Sequence, residues 1–272
     1  MTKWMRPVAF AVVVILPGAA DAAELKSGTI AAFERYQRAA EAAMEEDLST
    51  TDRFLRIFRG DAARRREIES LLRQGQVAVE RLQATENGKR IDVPDGLIHH
   101  WVGTVFVPDL HVDEAVALMR DYDRHSQYFR PNVVQSKILE RDGDRLRVFL
   151  RFYFKKVIAV TVNTESSVLY TRRDADRVSS TIRSTRVAEV QNPGAPNERE
   201  LPVGRDSGYL WRLNTYWRYW ERDGGTYIEC ESITLTRGIP IGLGWLIGPF
   251  VTSVPRETLT MTLNATRRNL LK

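Results

Sequence analysis

The fold is decided by residues 207–271, which read SGYLWRLNTYWRYWERDGGTYIECESITLTRGIPIGLGWLIGPFVTSVPRETLTMTLNATRRNLL. They contain an aromatic-rich pair of strand-like runs, an apolar segment with four glycines (Gly238–Pro249), and a closing amphipathic helix. The apolar segment carries no charged residue. A segment of this kind favours contact with apolar groups, so this ending of the chain indicates a hydrophobic ligand rather than a catalytic dyad.

A tight turn at Asp223-Gly224 is predicted to join the two strand-like runs, because both central residues of a type I′ turn need a positive φ. A two-residue turn places Arg218 opposite Glu229 and Tyr216 opposite Glu231. Side chains alternate between the two faces of a strand. One face therefore carries Trp211, Leu213, Trp217, Tyr219, Ile228 and Cys230, and the other carries Arg212, Asn214, Arg218, Glu229 and Glu231.

The aromatic face of this hairpin is predicted to form the interior. The charged face is then expected to lie outside, with Arg218 and Glu229 as an exposed cross-strand ion pair. Glu229 and Glu231 could instead serve as paired carboxylates for acid/base chemistry, but the ion pair is favoured because Arg218 stands directly opposite. A three-residue turn that uses Gly225 stays open, and it would mix the two faces.

The N-terminus has the pattern of a secretory signal peptide. Lys3 and Arg6 precede the apolar run Val8–Leu16, and Ala20-Asp21-Ala22 offers small residues for cleavage. The run is shorter than the roughly 20 residues that a membrane-spanning helix needs. The sequence predicts a cleaved signal peptide over residues 1–22 and a periplasmic or secreted protein, with an uncleaved N-terminal anchor as the alternative.

The composition narrows the classes of partner. The chain has 272 residues, a net charge of +5 and a single cysteine, Cys230, so it can form no intramolecular disulfide. Basic residues alternate with acidic ones, as in residues 59–74, and export removes most nucleic acids; we therefore expect no nucleic-acid partner. A mildly basic surface is compatible with transient contact with an anionic membrane.

Two regions follow the predicted signal peptide. Residues 23–95 are expected to form an N-terminal helical accessory segment, and residues 96–272 a separate domain. The second region begins with a predicted strand over 97–107 and a helix over 112–122. Six strand-like runs and a long C-terminal helix follow. Consecutive strands on short turns imply an antiparallel meander.

The C-terminal helix is predicted to cover this sheet. It is expected to begin near Ser253, which can cap it, with Pro255 in its first turn. Its apolar stripe consists of Val251, Pro255, Leu259, Leu263 and Leu270. One sheet wrapped around one long helix leaves a gap between them, and an aromatic and aliphatic lining makes that gap an apolar pocket.

This order of elements resembles the START-related helix-grip superfamily (SRPBCC), which includes polyketide cyclases and the major birch-pollen allergen family. The resemblance covers residues 96–271. It rests on the segment 122–152, with Tyr128, Phe129 and Pro131, and on the glycine-rich segment Gly238–Pro249 before the last helix. It implies an α+β fold in which a curved antiparallel sheet wraps around a long C-terminal helix, here with an N-terminal helical appendage. Members of the superfamily usually bind hydrophobic ligands, and some are enzymes.

No motif of known catalytic or cofactor chemistry is present in the sequence. His99 and His100 are adjacent, so on a strand they point to opposite faces and cannot share a metal site. Cys230 lies in a predicted strand and has no visible histidine partner, which favours a buried, inert thiol. We therefore predict no catalytic residue, no cofactor and no metal.

The sequence thus predicts an exported protein that binds an apolar or amphipathic small molecule, such as a lipid, between the sheet and the last helix. The apolar segment Gly238–Pro249 is expected to gate that pocket. Two alternatives stay open: a cyclase or aromatase-type enzyme that uses the same pocket, and an envelope interaction protein without a ligand. The predicted ligand-binding residues are Trp211, Leu213, Trp217, Tyr219, Ile228, Leu243, Trp245, Leu246, Phe250, Leu259 and Leu263.

Overall fold

The computed structural model describes residues 23–155, 159–238 and 244–272, and the side chains outside 244–252. The helices are α1 (Ser27–Leu48), α2 (Ala62–Arg73), α3 (Val112–Arg120), α4 (His125–Tyr128) and α5 (Gly244–Leu270), with short 3-10 turns at Thr51–Arg53, Arg56–Phe58 and Tyr122–Arg124. The strands are β1 (Ala23–Glu24), β2 (Ala78–Arg81), β3 (Thr85–Glu86), β4 (Lys89–Arg90), β5 (Gly96–Pro108), β6 (Val133–Asp142), β7 (Arg145–Lys155), β8 (Ala159–Arg172), β9 (Arg177–Gln191), β10 (Arg199–Glu200), β11 (Arg205–Asp206), β12 (Arg212–Glu221) and β13 (Gly225–Arg237).

Within the described residues, nine strands form one antiparallel sheet. Its order is β2-β5-β13-β12-β9-β8-β7-β6, and β10 pairs with β9. The six long strands β6, β7, β8, β9, β12 and β13 form the predicted meander, and β5 lies beside β13. Register shifts interrupt the β6–β7 and β8–β9 pairs. Such bulges bend a sheet, which helps this one to wrap around a helix.

The predicted hairpin register is confirmed. Asp223 and Gly224 both have a positive φ, at 58° and 77°. Arg218 pairs with Glu229, and Trp217 pairs with Cys230. The two faces of the hairpin are therefore assigned as the sequence predicts along the length of β12, from Arg212 to Glu221.

Helix α5 packs against one face of the sheet, which we call the inner face. It packs closely on Gly103 of β5, where a Cβ atom would lie only 2.7 Å from Cδ1 of Leu263. Leu259 and Leu263 are buried there, as the predicted stripe requires. The helix begins at Gly244, so the prediction of a start near Ser253 and of a loop extending to 249 is wrong. The glycines of this segment had favoured a loop, but each glycine disfavours a helix by only about 1 kcal/mol, and the Trp, Leu, Ile and Phe residues between them are compatible with one.

The N-terminal segment packs against the opposite, outer face of the sheet. Helix α1 forms one apolar cluster there, in which Phe33 and Tyr36 meet Trp211, Ile233 and Leu235. A second cluster joins residues 54–58 and helix α2 to side chains of β5, β12 and β13. Strand β2 also pairs with β5. The appendage therefore covers the outer face at β5, β12 and β13, so this part of the sheet is buried on both sides.

This covering corrects the expectation of an exposed charged face. Arg218 is 1% exposed and both Glu229 and Glu231 are 0% exposed. Arg218 binds Glu229 at 2.6 Å and Glu231 at 3.0 Å. Glu229 also accepts hydrogen bonds from the backbone N–H groups of Arg56 and Ile57, both at 2.9 Å. The sequence of the hairpin alone does not show that a segment 172 residues earlier covers it.

Candidate functional site

A cavity of about 170 Å³ lies between the inner face of the sheet and helix α5. We call it the grip cavity. It is lined by Met119, Tyr122, His125, Phe129, Val133, Leu150, Phe152, Phe154, Thr164, Ser166, Ile182, Tyr209, Leu210, Leu213, Thr215, Trp217, Cys230, Ser232, Thr234, Thr236, Val254, Pro255, Thr258, Leu259 and Thr262. Since β13 contributes every second residue from Cys230 to Thr236, the wall follows the alternation of the strand.

The size of the grip cavity limits what it can hold. Its volume is more than ten times the roughly 10–15 Å³ that one water needs and is close to the ~150 Å³ of an apolar cavity that binds benzene. It lies below the ~300–1,000 Å³ of common ligand pockets. A ring system or a short hydrocarbon chain therefore fits as the cavity stands, whereas a larger lipid requires part of the wall to move.

The described lining contains no Asp, Glu, Lys or Arg. Residues 239–252, which include the start of α5, also carry no charged residue in the sequence. Burial lowers the pKa of His125 to about 4 and raises the pKa of the Cys230 thiol well above its usual value. Burial likewise raises the pKa of Tyr122 and of Tyr209. The described wall is therefore uncharged at neutral pH.

His125 is the lining residue that most resembles a general base. Its Nε2–H donates to the backbone oxygen of Met119 at 3.1 Å, and its ring packs among Tyr122, Tyr128 and Phe129. Because its pKa is near 4 and its Nε2 is already bonded, this imidazole is suited to a structural role and not to proton transfer at neutral pH.

Trp211 is the predicted site residue that lies on the other side of the sheet. It precedes the first residue of β12, so the alternation of the strand does not reach it. Its indole N–H donates to Asp206 at 3.1 Å, and its ring packs against helix α1 on the outer face.

The other predicted residues fall into three groups. Leu213, Trp217 and Leu259 line the grip cavity. Tyr219, Ile228 and Leu263 are fully buried in the same hydrophobic core, outside the described lining of the cavity. Leu243 and the side chains of Trp245, Leu246 and Phe250 lie outside the described residues, and so does most of the segment that was expected to gate the pocket.

Sequence reasoning missed most of the opposite wall. Phe152, Phe154 and Leu150 come from β7, and Ile182 comes from β9. Their positions follow from the order of strands in the sheet, which pairs β9 with β12. The signal that could have found them is the spacing of two residues between Leu150, Phe152 and Phe154, which places them on one face of β7.

A second polar constellation lies on the outer face. The hydroxyl of Tyr36 accepts the Ala84 N–H at 2.8 Å and lies 3.0 Å from Nδ1 of His100. Nε2 of His100 lies 2.7 Å from Glu231. The Tyr–His–Glu order is that of a nucleophile, a base and a carboxylate. All three side chains are buried under the N-terminal segment and none lines a described cavity, so the chain of hydrogen bonds fastens that segment to the sheet.

Burial and charge act in opposite directions on Glu231. Burial alone would raise the pKa of its carboxyl group, but the Arg218 guanidinium and the hydrogen bond from His100 hold it at about 2. Glu231 is therefore ionised at neutral pH and balances Arg218. The contacts of Arg218 with Glu229 and Glu231 are those of an ion pair, which the sequence favoured over an acid/base pair.

Among the described residues, no set of three or more His, Cys, Asp or Glu side chains is arranged to hold a metal ion. None of the described helices has both the length and the hydropathy needed to cross a bilayer.

Comparisons with solved structures return several proteins, each with a TM-score below 0.5. One is a STAR-related lipid transfer protein fragment from Xanthomonas axonopodis, with 17% identity, a TM-score of 0.43, and coverage of 71% of this chain and 99% of that chain. Human STARD10 has 11% identity and a TM-score of 0.44, over 77% of this chain and 81% of its own. The Zhui aromatase/cyclase from Streptomyces sp. R1128 has 16% identity and a TM-score of 0.42, over 64% and 94%.

No family of known sequences matches the chain, and a search of curated proteins found no match. The observed architecture itself is an antiparallel sheet that wraps around a long C-terminal helix, with helices of an N-terminal appendage on the outer face. This is the α+β helix-grip architecture that the sequence predicts.

Proposed function

We propose that this protein binds an apolar or amphipathic small molecule, a lipid in the first instance, in the grip cavity. The observation that carries the proposal is the cavity itself: an internal volume of about 170 Å³ whose described walls hold no ionised side chain. An apolar ligand that fills this space is stabilised by burial of its surface.

Two features favour binding over the alternatives. A cyclase-type enzyme that uses acid/base chemistry needs a group that titrates near the working pH, and His125 titrates near pH 4 with its Nε2 held by the backbone. An envelope interaction protein without a ligand would fill the space between sheet and helix with its own side chains, whereas the described side chains line a cavity of about 170 Å³ there.

The test is a fluorescence titration with naphthalene as a small uncharged dye, because its two rings suit a cavity of about 170 Å³. Thr215 lies in the middle of the cavity wall, between Ile182 and Ser232 on the neighbouring strands. A Thr215→Phe substitution places a ring in the cavity. The matched control is Thr185→Phe on β9, because Thr185 is exposed and outside the described lining.

We expect saturable binding of one dye by the wild-type protein and by Thr185→Phe, and an affinity at least about tenfold lower for Thr215→Phe, equivalent to about 1.4 kcal/mol. Circular dichroism checks that each variant is folded. Equal affinities for Thr215→Phe and the wild type would contradict binding in the grip cavity, and so would the absence of saturable binding.

We also propose that the protein acts outside the cytoplasm. The support is the signal-peptide pattern of residues 1–22, with a predicted mature start at Ala23 or Glu24. N-terminal sequencing of the protein recovered from the periplasm tests this directly. Exported protein that retains Met1 would contradict cleavage. Native mass spectrometry of the same material would show which small molecule, if any, remains bound.

A transient contact with an anionic membrane surface is part of the same proposal, because a bound lipid must be taken from and returned to a membrane. The net charge of +5 supports it. Sedimentation with liposomes of anionic and of zwitterionic lipid measures the contact. Preference for the anionic liposomes that disappears at high salt is expected, and equal sedimentation with both would contradict it.

A further inference from the structure

The lining of the grip cavity ends at one row of side chains on the inner face of the sheet. Thr215 pairs with Ile182 on β9 and with Ser232 on β13, and all three are half-buried residues of the lining. At the next inner-face position of β12, Trp217 and its partner Cys230 still line the cavity, but both are buried. Exposure therefore falls along β12 and β13 toward the row that contains Trp217.

The row behind Trp217 is packed core. Tyr219 pairs with Val178 on β9 and with Ile228 on β13; all three are buried, and none of them belongs to the described lining. The rings of Trp217 and Tyr219 are nearly parallel, with 6.3 Å between their centroids and 7° between their planes. A close-packed interior has no space for a further group of atoms. The indole ring of Trp217 therefore separates the cavity from the core.

Helix α5 meets the sheet at the same level. Gly103 of β5 pairs with Cys230, and the absence of a side chain there lets the helix approach. A Cβ atom at Gly103 would lie 2.7 Å from Leu263 and 3.3 Å from Leu259. Sheet and helix are thus in direct contact beside the row of Cys230. From this contact the cavity extends toward the N-terminal part of α5, where Val254 is one of its lining residues.

The opposite end of the cavity is more exposed. Its lining residues there are half-buried and pack around one small apolar cluster: Phe154, Tyr209, Leu210 and Val254. Two of them, Tyr209 and Leu210, come just before the first residue of β12. They therefore lie at the end of the strand that points away from Trp217, and a ligand that enters between them meets the indole ring last.

We propose that Trp217 is the floor of the grip cavity and sets the length of hydrocarbon that the cavity encloses. This inference rests on the proposed function and deepens it, since it makes the enclosed part of the ligand a ring or a short chain that ends against the indole. Any longer part of the ligand stays at the half-buried end. The volume of about 170 Å³ agrees with this, because a cavity of ~150 Å³ encloses one benzene molecule.

Displacement of naphthalene by a series of straight-chain alcohols, from 1-butanol to 1-dodecanol, tests the inference. Each methylene that the cavity encloses should lower the displacing concentration about fourfold, because its surface is removed from water. The gain should stop at the length at which the chain reaches the floor, and further methylenes should change the displacing concentration little. We call the chain length at which the gain stops the length limit.

Three variants locate the floor. Trp217→Phe and Trp217→Leu make the side chain progressively smaller, so both should raise the length limit, and Trp217→Leu should raise it further. We expect about two more carbons in Trp217→Leu, and hence 1-dodecanol that binds at least about tenfold tighter than it binds the wild type. The matched control is Tyr219→Leu, on the same face of β12, because its space would lie behind Trp217 and should leave the length limit unchanged.

Each outcome has a distinct meaning. Tighter binding of long alcohols is a gain, so a loss of folding does not imitate it, and Trp217→Phe decides if Trp217→Leu does not fold. An unchanged length limit in the Trp217 variants, an equal shift in Tyr219→Leu, or a wild-type gain that continues to 1-dodecanol overturns this inference while the apolar binding function stands. Failure of every alcohol to displace naphthalene from the wild-type protein overturns the proposed function, and this inference with it.

Discussion

Substitution of Arg218 by alanine tests the buried ion network on which the N-terminal segment rests. The change removes the guanidinium that lies between Glu229 and Glu231, at 2.6 and 3.0 Å, and leaves two carboxylates that are 0% exposed. Breaking a buried ion pair by deleting one partner costs about 3–5 kcal/mol. This is a large share of the roughly 5–15 kcal/mol by which folded domains are stable.

Equilibrium unfolding in urea, followed by circular dichroism, measures that loss. With a slope of about 2 kcal/mol per M, the midpoint of Arg218→Ala should fall by roughly 2 M. The control is Arg205→Ala, because Arg205 and Glu24 form an ion pair at 3.2 Å whose side chains are 71% and 60% exposed. Exposed pairs of this kind contribute about 0–1 kcal/mol.

A pH series separates lost charge pairing from lost packing. Protonation of Glu231 removes a charge that Arg218 balances, so the cost of Arg218→Ala should shrink as the pH is lowered toward the pKa of about 2 that Glu231 has in the wild-type protein. A loss no larger than that of Arg205→Ala, or a large loss that does not change with pH, would refute the network as a stabilising contact.

Two further predictions concern the helix contact and acid stability. Gly103→Ala should destabilise the fold by about 1–3 kcal/mol, because its Cβ would stand 2.7 Å from the buried Leu263. The control Gly28→Ala should be neutral or stabilising, because the nearest neighbour of its Cβ would be 3.8 Å away. Thermal unfolding compares the two variants, and equal melting temperatures would count against a tight sheet–helix contact. Burial lowers the pKa of His99 and of His125 to about 4, so between pH 6.5 and 4 these histidines bind protons in the unfolded chain but not in the native protein. The free energy of unfolding should therefore fall with decreasing pH, by up to about 1.4 kcal/mol per pH unit for each histidine. Urea unfolding at pH 7.0 and 4.5 measures this, and equal stability at both would contradict it.

The sequence predicted the sheet and the hairpin well because their determinants are local. The Asp223-Gly224 turn sets the register of β12 and β13, and alternation along the strands then assigns Leu213 and Trp217 to the inner face. The same alternation places Ser232 and Thr234 in the cavity wall. That signal was present in the sequence, although it was not recognised as part of the site.

The remaining features depend on contacts between distant parts of the chain. Burial of Arg218 requires residues 54–58 on the outer face, and nothing in the hairpin indicates them. The face of the sheet on which the Trp211 side chain lies depends on the residue at which β12 begins. The early start of α5 at Gly244 depends on a balance between glycine propensity and packing, which a composition rule does not resolve.

Binding of a small amphiphile in the grip cavity is tested most directly by a crystal structure of the protein with 12-bromododecan-1-ol, located by the anomalous signal of bromine. We predict bromine between the sheet and α5, in the space lined by Leu213, Trp217 and Leu259. Bromine found only on the outer surface, or an empty cavity at a saturating concentration of the alcohol, would contradict the assignment of the grip cavity as the binding site.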